Sequence, residues 1–224
     1  WLSRRGTKAV KATLVEIGPS VDIPAVRAQP INELYGAWYA YSDSAVTFNS
    51  HYEFLDFDLI EIAAHESVHA IIHQNGLHPY STTHGDFFAM VDETAASVLG
   101  AFIAGEVWSR RGQDGSVLTE MLYQSHRRSC DPADPTSNFS RYLAPDRVAS
   151  GEFDREKWHA MLIHYGPVEL VDAVYQICCL HPDPTDAARA ITKRFMRINL
   201  EPRDKPIYEE FERSRRRWGR RGAN

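Results

Sequence analysis

Apolar residues crowd the stretch Leu59–Ile72 more densely than a half-exposed helix allows. Leu59, Ile60, Ile62, Ala63, Ala64, Val68, Ala70, Ile71 and Ile72 cover nearly every side of a 3.6-residue repeat. The pattern predicts a buried helix from about Asp56 to about Gln74, ended by Asn75-Gly76. Ahead of it, Tyr35-Gly36-Ala37-Trp38-Tyr39-Ala40-Tyr41 and Ala45-Val46-Thr47-Phe48-Asn49 flank the turn signal Ser42-Asp43-Ser44, which predicts a hairpin. A basic lead (Arg4, Arg5, Lys8, Lys11) runs into Thr13-Leu14-Val15-Glu16-Ile17, a strand or short helix closed by Gly18-Pro19, and Pro24 and Pro30 break up the next stretch. Residues 77–83 read as a loop, and a long helical pattern opens at His84 and reaches about Arg110. Residues 116–127 look helical, 128–151 carry the Pro and Asp density of a loop, and further helices are expected near 153–165, 167–179 and 184–198. The fold class is therefore α+β: a small sheet or hairpin plus a buried helix, followed by a mainly helical C-terminal half. The expected organisation is a core over 1–112, a helical extension over 113–200 and a basic tail over 201–224.

Composition narrows this only slightly. The 224 residues have the hydrophobic and charged fractions of an ordinary globular protein, and no run of eighteen apolar residues predicts a membrane span. No signal peptide is visible, although the chain begins at Trp1 without a Met, so a removed leader is compatible with it. Cys130 and the adjacent Cys178-Cys179 form no disulfide or zinc-ribbon spacing, which points to free thiols in a reducing, cytoplasmic compartment. The net charge of −5 gives no global pull toward nucleic acid. Only the tail does, where Arg213, Arg215, Arg216, Arg217, Arg220 and Arg221 could meet phosphate or an acidic partner, or simply form a solvated terminus.

The chemistry lies in the buried helix, as His65-Glu66-Ser67-Val68-His69. Histidines four apart on a helix share a side, about 40° apart around the axis, which suits two vertices of a tetrahedral zinc ion. Glu66 lies about 100° from His65 and is placed to take a proton from a water that the ion activates. Two histidines and a glutamate in a buried helix are costly without partners, and one Zn2+ ion supplies them.

Catalytic zinc takes three protein ligands, so a third is needed. The spacing with His six residues past the second histidine fails, because that position is Asn75. His73 continues the helix face, but His65 to His73 spans about 12 Å, too far for one ion. His78 lies in the loop and stays open. The contest is between His84 and Glu93. On a helix whose apolar stripe is Phe87, Phe88, Val91, Ala95, Val98, Leu99 and Phe102, His84 projects within about 20° of Val91 and Glu93 about 200° away. If that stripe meets the metal helix, His84 reaches the ion and Glu93 faces away. Being about 13 Å apart along the axis, the two cannot both bind. Asp86, Asp92 and Glu93 are further candidates to orient a ligating imidazole.

His65-Glu66-x-x-His69 followed by His84-Gly85-x-x-Phe88, with Gly36, Trp38 and a strand ending in Asn49 upstream, resembles the SprT-like (Spartan-type) zinc metalloproteases over residues 34–90. The resemblance implies a minimal zincin-like domain with His65, His69 and His84 as ligands, Glu66 as base, and protein substrates that include proteins crosslinked to DNA. The Cys-rich zinc ribbon that family often carries is missing here. A second pattern, His65-Glu66-x-x-His69-x-x-x-His73 with Glu93-x-Ala95-Ala96, is similar to the ImmA/IrrE type metallopeptidases. Those cleave regulatory proteins and would use Glu93 as ligand. Either way the expected activity is zinc-dependent hydrolysis of peptide bonds in a protein or peptide substrate. Tyr80, His126, Tyr142, His159, His164 and Tyr165 are the candidates for stabilising the oxyanion. The rival expectation is a scaffold of the same fold that binds without cleaving.

Overall fold

The computed structural model describes residues 1–19, 21–31, 36–77, 86–131 and 167–196. Within them the chain runs α1 (Leu2–Ile17), β1 (Ala25–Gln29), β2 (Ala37–Ala40), β3 (Ala45–Asn49), α2 (Asp56–Gln74), α3 (Asp86–Ser109), α4 (Gly115–Ser129), α5 (Pro167–Leu180) and α6 (Pro184–Ile191). A π turn, Thr192–Met196, continues α6. The class is α+β, as the periodicity predicts, with helices dominating.

The first departure comes at the N-terminus. The basic lead is itself helical: Gly6, Ala9, Val10, Thr13, Leu14 and Ile17 recur at helical spacing and are buried, while the lysines and arginines occupy the other side. Gly18, at φ 79, ends α1 in a conformation that favours glycine. Gly6 lets the helix lie on the sheet, since a Cβ there would fall 2.7 Å from the Phe48 ring.

The hairpin forms where expected, β2 antiparallel to β3 with Tyr39 opposite Val46. A strand between Pro24 and Pro30 joins it: β1 runs parallel to β3 with Val26 opposite Val46, giving the order β1-β3-β2. β3 is buried along its whole length as the central strand, and β2 is left at an edge.

α2 occupies the range predicted for it. The Asp58 carboxylate accepts from the Leu55 N–H at 2.9 Å, and the acidic first turn (Asp56, Asp58) suits the positive end of the helix dipole. Gly76, at φ 62, turns the chain away at the other end. α1, α2 and α3 pack together behind the sheet, and α4, α5 and α6 pack on α3. Val10, Phe48, Ile60, Ile71, Val98, Leu99, Leu170, Val174 and Ile191 belong to one continuous hydrophobic core, so the described helices beyond Gly112 share the interior of the segment before it. No helix among the described residues is long and apolar enough to cross a membrane. The helix expected near 153–165 and the basic tail Arg213–Arg221 lie outside the described residues.

Candidate metal centre

The buried helix α2 carries His65, Glu66 and His69 at its middle, where its neighbours are β2 on one side and α3 on the other. His69 and Glu66 are each 5% exposed. The two imidazole rings stand edge to face, 5.1 Å between centroids. Between them comes the carboxylate of Glu93 from α3: Oε2 lies 3.4 Å from His65 Nε2 and Oε1 lies 3.7 Å from His69 Nε2. One donor atom from each of these three residues falls within 4.8 Å of the others. Donors bound at about 2.0–2.1 Å to a tetrahedral ion are roughly 3.4 Å apart, so the two Glu93 contacts come near that spacing and the three residues could hold a metal ion. The chemistry of the set agrees: two imidazoles, one carboxylate and a second carboxylate beside them.

This arrangement corrects the expectation that Glu93 faces away from the metal helix. That projection requires the apolar stripe of α3 to meet α2. α3 has no single apolar face, since Val91, Asp92, Thr94, Ala95, Ala96, Val98 and Leu99 are all buried. It meets α2 through its smallest residues instead. A Cβ on Gly100 would lie 3.1 Å from the Cα and N of His65, and Ser97 Oγ lies 3.4 Å from His65 Nδ1. Glu93, Ser97 and Gly100 follow one another at helical spacing, so backbone contact at Gly100 carries Glu93 onto the two histidines. His84, favoured as third ligand, lies outside the described residues, as do His78 and the Asp86 side chain.

Asp92, one residue before Glu93, reaches the far side of His69. Its Oδ2 lies 3.0 Å from His69 Nδ1 and accepts a hydrogen bond from the Tyr41 hydroxyl at 2.7 Å. Asp92, one of three carboxylates expected to orient an imidazole, is thus in contact with His69. Tyr41 itself was not anticipated from sequence, although its place two residues after Tyr39 puts both rings on the side of the hairpin that faces α2.

Protonation follows from this crowding. Burial pushes the Glu66 carboxyl up, against the pull of His65 and His69, and the Tyr39 backbone N–H donates to it. Burial disfavours the charged form of His69, but Asp92, Glu93 and Glu66 outweigh it and raise the imidazole to about 10. For Glu93 desolvation is the largest single influence and acts upward. The His65 hydrogen bond and the charges of His69, His65 and His126 win and hold the carboxyl at about 2. The two imidazoles thus have three carboxyl groups around them, Glu66, Asp92 and Glu93, a set of oxygen and nitrogen donors suited to a dication.

Of the residues expected to meet an oxyanion, His126 alone falls among the described residues. Burial and then the charge of His65 depress it to about 4, with Glu93 opposing, so it stays neutral at physiological pH. Its Nε2 lies 3.7 Å from Cys130 Sγ. Tyr80, Tyr142, His159, His164 and Tyr165 fall outside the described residues. The chain matches no protein-family model, no curated protein and no solved structure.

Proposed function

We propose that this protein is a zinc-dependent metallopeptidase of zincin-like architecture, with His65, His69 and Glu93 holding the ion and Glu66 as general base. The observation that carries the reading is the convergence of the Glu93 carboxylate on both imidazole Nε2 atoms, 3.4 and 3.7 Å away, beside a buried Glu66. Zinc, when bound, supplies Lewis acidity that brings water toward ionisation near neutral pH and polarises a scissile carbonyl. Glu66 accepts the proton of the attacking water and returns it to the departing amine, and its raised affinity for protons suits both halves of that task. The Tyr39 N–H holds the Glu66 carboxylate against the edge strand β2. Glu93 as ligand favours the ImmA/IrrE-like pattern over the SprT-like one, and with it a regulatory protein as the substrate class. The three cysteines, all free thiols, suit a reducing compartment. A scaffold that only binds would have no use for the buried, costly Glu66.

Two measurements test this. Glu66→Gln should leave zinc content intact and lower peptidase kcat/KM by about 10²–10⁴-fold; equal activity would end the enzymatic reading. Zinc content of Glu93→Ala beside His84→Ala decides the third ligand. Glu93→Ala should empty the site and His84→Ala should not.

A further inference from the structure

The Tyr41 hydroxyl, just past the end of the hairpin strand β2, takes no part in the proposed hydrolysis, yet it touches both members of the Asp92–His69 pair. It donates to Asp92 Oδ2 at 2.7 Å and lies 3.2 Å from His69 Nδ1, while those two atoms are themselves 3.0 Å apart. Three polar atoms from three separate parts of the fold form a closed triangle, and Asp92 and His69 are both almost wholly buried. We infer that Tyr41 is a positioning residue of the metal centre, fixing through Asp92 which nitrogen of His69 carries the proton.

Proton counting decides the tautomer. A phenol has one proton to give, and the shortest contact commits it to Asp92. The Tyr41 oxygen is then left as an acceptor toward His69. An ionised Asp92 is an acceptor as well. With two acceptors facing Nδ1, that nitrogen must be the donor, so the lone pair of a neutral imidazole resides on Nε2, the atom nearest Glu93. Without the Tyr41 proton, Asp92 loses one of the donors that hold its carboxylate against the imidazole edge. The aromatic packing of Tyr41 against Tyr39 and His73, with centroids 5.2 and 5.3 Å apart, fixes the ring from which the hydroxyl projects. The hairpin and the centre are thereby joined through one oxygen atom.

The inference rests on the zinc reading, and the test keeps the two apart. Zinc affinity is measured by chelator competition on wild type, Tyr41→Phe, Asp92→Asn, the double variant and His69→Ala, with thermal midpoints recorded for each. Tyr41→Phe retains the ring and its packing. The expected result is about tenfold or greater loss of zinc affinity in Tyr41→Phe, with little change in the midpoint of the metal-free protein. The double variant should be no weaker than Asp92→Asn alone, because the two groups act as a unit. In the zinc-loaded wild type, ¹⁵N spectra of labelled histidine should place the remaining proton of His69 on Nδ1. Wild-type affinity in Tyr41→Phe, multiplicative losses in the double variant, or a proton on Nε2 would each overturn the positioning role. Failure of the wild type to bind zinc, or unchanged affinity in His69→Ala, would overturn the zinc reading itself.

Discussion

His69 and His73 sit one turn apart on α2, and each meets a tyrosine of the same hairpin through Nδ1: Tyr41 at 3.2 Å for the first, Tyr39 at 3.0 Å for the second. The two pairs look interchangeable, and their surroundings make them different. His69 is 5% exposed and has Asp92, Glu93 and Glu66 around it, whereas His73 is half-buried and bonds to the Tyr39 phenol. One turn of helix, about 5.4 Å, carries the imidazole out of reach of the α3 carboxylates. A histidine on the correct face of the helix is therefore not enough. What separates a candidate ligand from a packing residue here is the acidic pair Asp92-Glu93 on the neighbouring helix.

The largest expected effect breaks the pair outright. His69→Ala should abolish zinc binding and peptidase activity, because it removes a donor and leaves Asp92 buried with one partner fewer. His73→Ala should retain bound zinc in full. Metal analysis after dialysis checks both; zinc lost equally from the two variants would erase the distinction.

A smaller change sharpens it by moving the carboxylates rather than the histidines. Gly100→Ala places a methyl 3.1 Å from backbone atoms of His65, which no rotamer change can relieve. Overpacking costs about 1–3 kcal/mol, and the better helix propensity of alanine offsets about 1 kcal/mol of it. The fold should survive with a modestly lower thermal midpoint. Zinc affinity should fall further than stability, since separating α3 from α2 draws Glu93 away from His65 and His69. Titration of the metal-free variant with zinc, beside its melting curve, reads the two effects separately.

Much of this was legible in the sequence because local signals and burial agreed there. α2 begins at acidic Asp56 and ends before Asn75-Gly76, and its apolar density announced its depth. The hairpin was marked by Ser42-Asp43-Ser44, and Ser44 does adopt positive φ, 48°. β1 was hidden because five residues between two prolines pair only with a strand twenty positions later, a contact that periodicity cannot register. α1 was obscured by its charge, because its lysines and arginines interrupt the apolar spacing of Ala9, Val10, Thr13 and Leu14. Glu93 was misplaced for a different reason. A helix buried on all sides has no hydrophobic stripe to orient it, and the contact with α2 is set by shape. Ser97 and Gly100, small residues at helical spacing from Glu93, were the available signal, and Gly100 is where the two backbones approach.

The weakest perturbation concerns the outer pair. Tyr39→Phe deletes the hydroxyl bonded to His73 Nδ1 while leaving the ring packed edge-on against Tyr41. A partly buried neutral hydrogen bond contributes about 1 kcal/mol, and His73 can regain water once its partner is gone, so the net loss should be no more than that. Zinc affinity should be unchanged, because Tyr41, Asp92 and His69 make their triangle without the Tyr39 oxygen. The main-chain N–H of Tyr39 still reaches Glu66 in this variant, so kcat should hold as well. Denaturant unfolding alongside chelator competition and peptidase assays checks all three. A zinc deficit in Tyr39→Phe comparable with that of Tyr41→Phe would mean that the hairpin acts on the centre through its packing as a whole, and that the carboxylates of α3 are not what sets His69 apart from His73.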